Sequence, residues 1–197
     1  MSASPALSPS PAVSSSDTAP GTAAAPGTDA TPAAGPSQAE LLDFVRDVAA
    51  DAELVVSLPL DPQSRTWVRL DGPAGSGVWL IGRPPGTGTG WHDHGNSLGA
   101  FMTASGELKE NSLAVRMPTE GWKTLELNDG VDRERRPAAG EGRAFGRHHV
   151  HEVLNASPEQ HAVSVHACHP PLPLMRRYSR TGPTLRPEQA ESPEGWQ

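Results

Sequence analysis

The chain has 197 residues, a formal net charge of −7 and one cysteine, Cys168. An acidic balance with no compensating basic run argues against nucleic acid as a partner, and a single thiol excludes both an intrachain disulfide and a zinc site built on several thiolates. No stretch is apolar and long enough to span a bilayer, and the start lacks the basic and apolar segments of a secretory signal, so a cytoplasmic protein with no membrane partner is expected.

Residues 1–37 are almost entirely Ala, Pro, Ser, Thr and Gly, and the first basic residue of the chain is Arg46. Too little apolar side chain is present to offset the entropy of ordering, which predicts a disordered tail. Order is expected to begin at SQAELLDFVRDVAAD. Ser37 and Glu40 have the spacing of a capping box, and Leu41, Leu42, Val45 and Val48 share one face of a helix ending near Asp51. Short segments rich in strand formers follow at 65–70, 77–83, 97–104, 111–117, 122–127, 148–155 and 161–167, separated by Gly, Pro, Asn or Asp. This texture predicts an all-β sandwich or barrel. The Pro- and Glu-rich residues 181–197 are expected to be loosely ordered, leaving one domain over 38–180.

All eight histidines lie between residues 92 and 169. In a strand, positions i and i+2 face the same side, so His92 and His94 can present both rings to one point while Asp93 faces away. His149 and His151 repeat the spacing, and His166 lies in a third candidate strand. Two histidines from one strand and one from another make a three-nitrogen site, which suits Fe, Zn, Cu or Ni. The bland alternative is a set of loop histidines satisfied by backbone carbonyls or solvent.

The segment GTGTGWHDHGNSLGAFMTASGELKE resembles the first cupin motif, and in detail that of the cysteine dioxygenase (thiol dioxygenase) family. Leu98 and Gly99 stand where most cupins carry a glutamate, an absence shared by thiol dioxygenases, which bind iron through three histidines. HEVLN, with His151 and Asn155, resembles the family's second motif. Fifteen residues after His151, SVHACHPPL resembles its Ser-x-His-x-Tyr-x-Pro-Pro segment. The resemblance spans about residues 65–175. It implies a cupin (double-stranded β-helix, or jelly-roll) barrel, monomeric, with Fe(II) on His92, His94 and His151. His149 would then sit at the rim, and His148 and His161 on the surface.

The implied reaction joins a small thiol, L-cysteine or a relative such as 3-mercaptopropionate, to O2 to give the sulfinic acid. Ser164, His166 and Cys168 occupy the positions of the family's outer Ser-His-Tyr set, with Cys168 in place of the tyrosine. The family's Cys–Tyr crosslink is precluded, since Gly99 stands at its cysteine. Arg69 matches the group expected to hold the substrate carboxylate, with Arg65 and Arg83 as rivals. Trp67, Trp79 and Phe101 are candidate walls. A cupin of other metal chemistry, or a catalytically impaired thiol- or metal-binding cupin, are the alternatives left open by Cys168.

Overall fold

The computed structural model describes residues 35–191 apart from 116, 119 and 120. Residues 1–34, most of the expected tail, and residues 192–197 lie outside the described residues. Helix α1 (Gln38–Ala50) begins at Ser37, whose hydroxyl accepts from the Glu40 N–H while the Glu40 carboxylate accepts from the Ser37 N–H, so both halves of the capping box form. A second helix, α2 (Ala52–Ser57), was not anticipated. It starts at Asp51, which accepts from the Leu54 N–H.

Twelve strands follow: β1 (Thr66–Asp71), β2 (Gly77–Arg83), β3 (Trp91–Asp93), β4 (Leu98–Ser105), β5 (Lys109–Leu113), β6 (Leu125–Glu126), β7 (Asp132–Arg135), β8 (Gly142–Phe145), β9 (His151–Leu154), β10 (Ala162–His169), β11 (Met175–Thr181) and β12 (Thr184–Glu191). They pair antiparallel into a five-stranded sheet, β1-β2-β10-β4-β8, and a seven-stranded sheet, β6-β12-β11-β3-β9-β5-β7. The architecture is the expected cupin double-stranded β-helix.

The central strands of the five-stranded sheet bury both faces. Val78 and Leu80 of β2, Ala100 and Met102 of β4, and Val163, Val165 and Ala167 of β10 form one core with Leu41 and Val45 of α1. Leu41 and Val45 are fully buried, each worth about 1.5–3 kcal/mol, and these two residues anchor the helix. The alternate positions, Trp79, Ile81 and Arg83 of β2, Phe101 of β4, and Ser164, His166 and Cys168 of β10, turn to the opposite face, towards the barrel interior.

Four strands, β7, β8, β11 and β12, fall outside the expected segments, and two of them show why. Residues 184–191, placed in a loosely ordered C-terminal stretch, form β12, which pairs with β11 across a tight turn at Gly182, where φ is +58°. Leu185 is its only fully buried side chain, so the strand is held largely by main-chain pairing, which composition does not report. Strand β7 is exposed at all four positions and forms the edge of its sheet. Its charged side chains suit an edge that must not pair further, and they hid it from a reading based on apolar strand formers.

Candidate metal centre

Strands β3 and β9 are neighbours, and their register sets His92 directly opposite His151. His94 lies one residue past the end of β3. The three rings are buried, with centroids 4.9 Å (His92–His94), 4.7 Å (His92–His151) and 5.1 Å (His94–His151) apart. One nitrogen from each lies within 4.8 Å of the others, an arrangement able to hold a metal ion.

The neighbours of these rings decide which nitrogens are free. His92 Nδ1 lies 2.9 Å from the Gly90 carbonyl, and His151 Nδ1 lies 2.8 Å from Glu110 Oε1. Both partners only accept, so each Nδ1 carries the proton. Burial, and then the adjacent rings, hold all three histidines below the usual range, His151 at about 3. Each is therefore neutral at pH 7, and Nε2 of His92 and of His151 offers a lone pair. His94 Nδ1 is buried without a hydrogen-bond partner among the described residues. Three neutral, converging and incompletely satisfied imidazoles fit a divalent transition metal. Asp93 faces away and pins β3 from behind, accepting from the Gly95 N–H at 2.9 Å and from the hydroxyl of Tyr178, the only tyrosine, at 2.7 Å.

Glu110 on β5 was not foreseen from the sequence. Its side chain is 1% exposed and accepts from His151 at 2.8 Å, His149 at 3.4 Å and Arg143 at 3.5 Å. Burial alone would raise its pKa, but the hydrogen bonds from His149 and His151, with the Arg143 charge, hold it well below the carboxylate range. A carboxylate thus reaches the cluster from another strand, as a partner that orients a histidine. Its one sequence signal is position: Glu110, Ser112 and the paired faces of β5 alternate in burial, and a charge on the buried phase of a strand needs partners.

The facing wall belongs to β2 and β10. Ser164 Oγ lies 3.0 Å from His166 Nε2 and accepts from Arg83 Nη1 at 2.6 Å. Because arginine only donates, the single serine proton is directed to His166 Nε2. Burial and then the Arg83 charge keep His166 neutral, so its proton sits on Nδ1. Phe101 stacks on this ring at 5.3 Å. Cys168 is 3% exposed and packs with Trp79, Leu172 and Met175. Its register partner across β4–β10 is Gly99. A Cβ at Gly99 would lie 2.6 Å from Phe145 Cζ and 2.8 Å from the Ala167 carbonyl, so Phe145 takes the room that any side chain there would need.

Burial pushes the Cys168 thiol up to about 12. Dithionitrobenzoate at pH 8 is therefore expected to label the native protein at least about a hundredfold more slowly than the unfolded chain. Labelling at the rate of a free thiol would contradict the buried placement.

One cavity joins these elements. It is lined by His92, His94 and His166, by Cys168 with the apolar Trp67, Trp79, Ile81, Val153, Leu172 and Met175, and by three arginines, Arg65, Arg83 and Arg177. Arg69, expected to hold the substrate carboxylate, is not among the lining residues and is exposed, whereas its rivals Arg65 and Arg83 both line the cavity. Residues 65, 67 and 69 share a face, but at about 3.3 Å per residue Arg69 stands roughly 13 Å along the strand from Arg65. His149 lies just before β9, its ring 4.8 Å from that of His151. His148 adopts φ +63° in the preceding turn, and His161 donates to the Asp61 carbonyl at the surface.

Among solved structures, the chain is similar to an oxalate oxidase in complex with glycolate (21% identity, 55% of this chain, 52% of that one, TM-score 0.41). It is similar as well to an uncharacterized double-stranded β-helix protein of Klebsiella pneumoniae (17%, 57% and 83%, TM-score 0.40) and to the cupin domain of Schizosaccharomyces pombe Cnp3 (10%, 58% and 65%, TM-score 0.42). The chain thus spans about half the length of the oxalate oxidase it matches. No curated protein matches it. The family model described as cysteine dioxygenase type I matches residues 25–181, a span that takes in the three-histidine cluster, the Ser164–His166 pair and the cavity between them, and the chain belongs to that family.

Proposed function

We propose that the protein is an Fe(II)-dependent thiol dioxygenase that converts a small thiol carboxylate and O2 into the sulfinic acid. The observation that carries this reading is a cluster of three buried, neutral histidines, two of which, His92 and His94, line one cavity with Arg83 and His166, themselves joined through Ser164. In the balanced reaction, RSH + O2 → RSO2− + H+, the S–H and O–O bonds break and two S–O bonds form. Sulfur loses four electrons and the two oxygen atoms gain them.

His92, His94 and His151 would hold the iron, which when bound supplies a Lewis-acidic and redox-active centre for thiolate and O2. The arginines of the lining hold a substrate carboxylate through charge-assisted, bidentate hydrogen bonds. Neutral His166 keeps its proton on Nδ1 and offers it to the cavity, its orientation fixed by Ser164 behind it and Phe101 beside it. Trp79, Ile81, Val153, Leu172 and Met175 exclude water from the reacting atoms. Cys168, whose thiol is not acidic, serves as one of these apolar walls and takes no part in proton transfer.

Protein purified anaerobically and loaded with Fe(II) is expected to consume one O2 per sulfinate formed from a small thiol carboxylate. Failure of a panel of such thiols to yield sulfinate would favour a cupin that binds metal or thiol without oxidising it.

A further inference from the structure

The cavity holds more positive charge than one carboxylate requires. Arg65, Arg83 and Arg177 all line it, and among the described residues no Asp or Glu does. Among the described residues only Arg177 is hydrogen-bonded to an acid, Glu191 at 3.0 Å, whose charge also reaches Arg65, and Arg177 donates as well to the Thr89 carbonyl. Arg83 is 1% exposed and gives one hydrogen bond to Ser164, while its Nε is buried without a hydrogen-bond partner among the described residues. Arg65 has no hydrogen-bonded partner among the described residues. Burial first, and then each other's charge, depress these groups: Arg83 falls to about 9 with Arg65 beside it, and Arg65 is lowered with Arg177 beside it.

Three guanidinium groups against one carboxylate leave two charges uncompensated in a mostly apolar cavity. An entering anion relieves the repulsion and satisfies the orphaned donors, whereas an ammonium group finds no acid to receive it. We propose that this site takes a small thiol bearing two carboxylates and no amino group, with one carboxylate on Arg83 and the second on Arg65. The proposal rests on the dioxygenase reading for the role of the sulfur and adds the rest of the substrate. Arg177, tied to Glu191 and Thr89, is already engaged, which leaves Arg83 and Arg65 as the groups for the two carboxylates.

The test is calorimetric titration of the Fe(II) holoprotein under nitrogen with mercaptosuccinate, 3-mercaptopropionate and L-cysteine, followed by O2 consumption with each. Mercaptosuccinate is expected to bind at least about tenfold more tightly than 3-mercaptopropionate, the size of one charge-assisted contact, and cysteine more weakly than either. Arg65→Gln should remove most of the first ratio and Arg65→Lys should restore part of it. Arg65 is partly exposed at the start of β1, so neither variant disturbs the core. Equal affinity for the two carboxylic thiols, or an equal loss for both in Arg65→Gln, would overturn the proposal. A higher kcat/KM for cysteine or 3-mercaptopropionate would also overturn it, while leaving the dioxygenase reading intact. Tight, Arg65-dependent mercaptosuccinate binding without sulfinate from any thiol would support the proposed ligand class and remove the dioxygenase reading.

Discussion

Substituting alanine for His94 is expected to lower metal affinity by more than about a hundredfold, beyond the range for loss of an outer partner, and to abolish any metal-dependent turnover. The same holds for His92 and His151, because three nitrogens are the whole donor set of this cluster among the described residues. His94 is the informative choice. Its Nδ1 has no hydrogen-bond partner among the described residues and its ring lies 4.8 Å from that of Phe145, so its removal breaks no hydrogen bond to Nδ1 among them. The core under α1 includes none of the three histidines, and the folded state should survive. Metal content after dialysis against a chelator reads the first effect, and thermal unfolding with far-ultraviolet circular dichroism controls for the second. Retention of stoichiometric metal by the His94→Ala protein would move the centre elsewhere.

Glu110→Gln is expected to reduce metal affinity by about 10–100-fold with every proposed ligand still present. The ionised carboxylate can only accept, which forces the proton of His151 onto Nδ1 and leaves Nε2 for the metal. A glutamine of the same shape also donates, so it admits the tautomer with the proton on Nε2, where it competes with the metal. Arg143 loses its counter-charge but is one-quarter exposed and can turn to water. Competitive titration with a chelating indicator measures the change. An affinity within about twofold of the parent protein would show that the Glu110–His151 contact is incidental to the centre.

The helix start, strands β2, β4 and β10 and the paired histidines were legible because each depends on neighbours in the chain. Ser37 and Glu40 cap a helix through contacts three residues apart, and β2, β4 and β10 appear as apolar runs because both of their faces are covered. Strand β7 was not legible, since an exposed edge strand carries no apolar phase. Nor was β12, whose pairing is made by the backbone.

For the candidate site, the HxH spacing was enough to set His92 and His94 on one face, and the resemblance of HEVLN and SVHACHPPL to family motifs singled out His151 and His166. The partners that make these groups usable lay beyond any local pattern. Glu110 meets His151 from 41 residues away, and Arg177 stands opposite His92 in the register of β3 and β11. That the cavity does not take in Arg69 was hidden for a related reason. Alternation says which face a side chain takes but not which end of the strand the cavity reaches.

Residues close in sequence thus determined by themselves the elements and the donor pair, because local backbone geometry has a short period. Only the tertiary structure decided the carboxylate behind His151, the three arginines over the cavity and the apolar burial of Cys168. Those contacts join strands far apart in the chain, and charge and burial act through space.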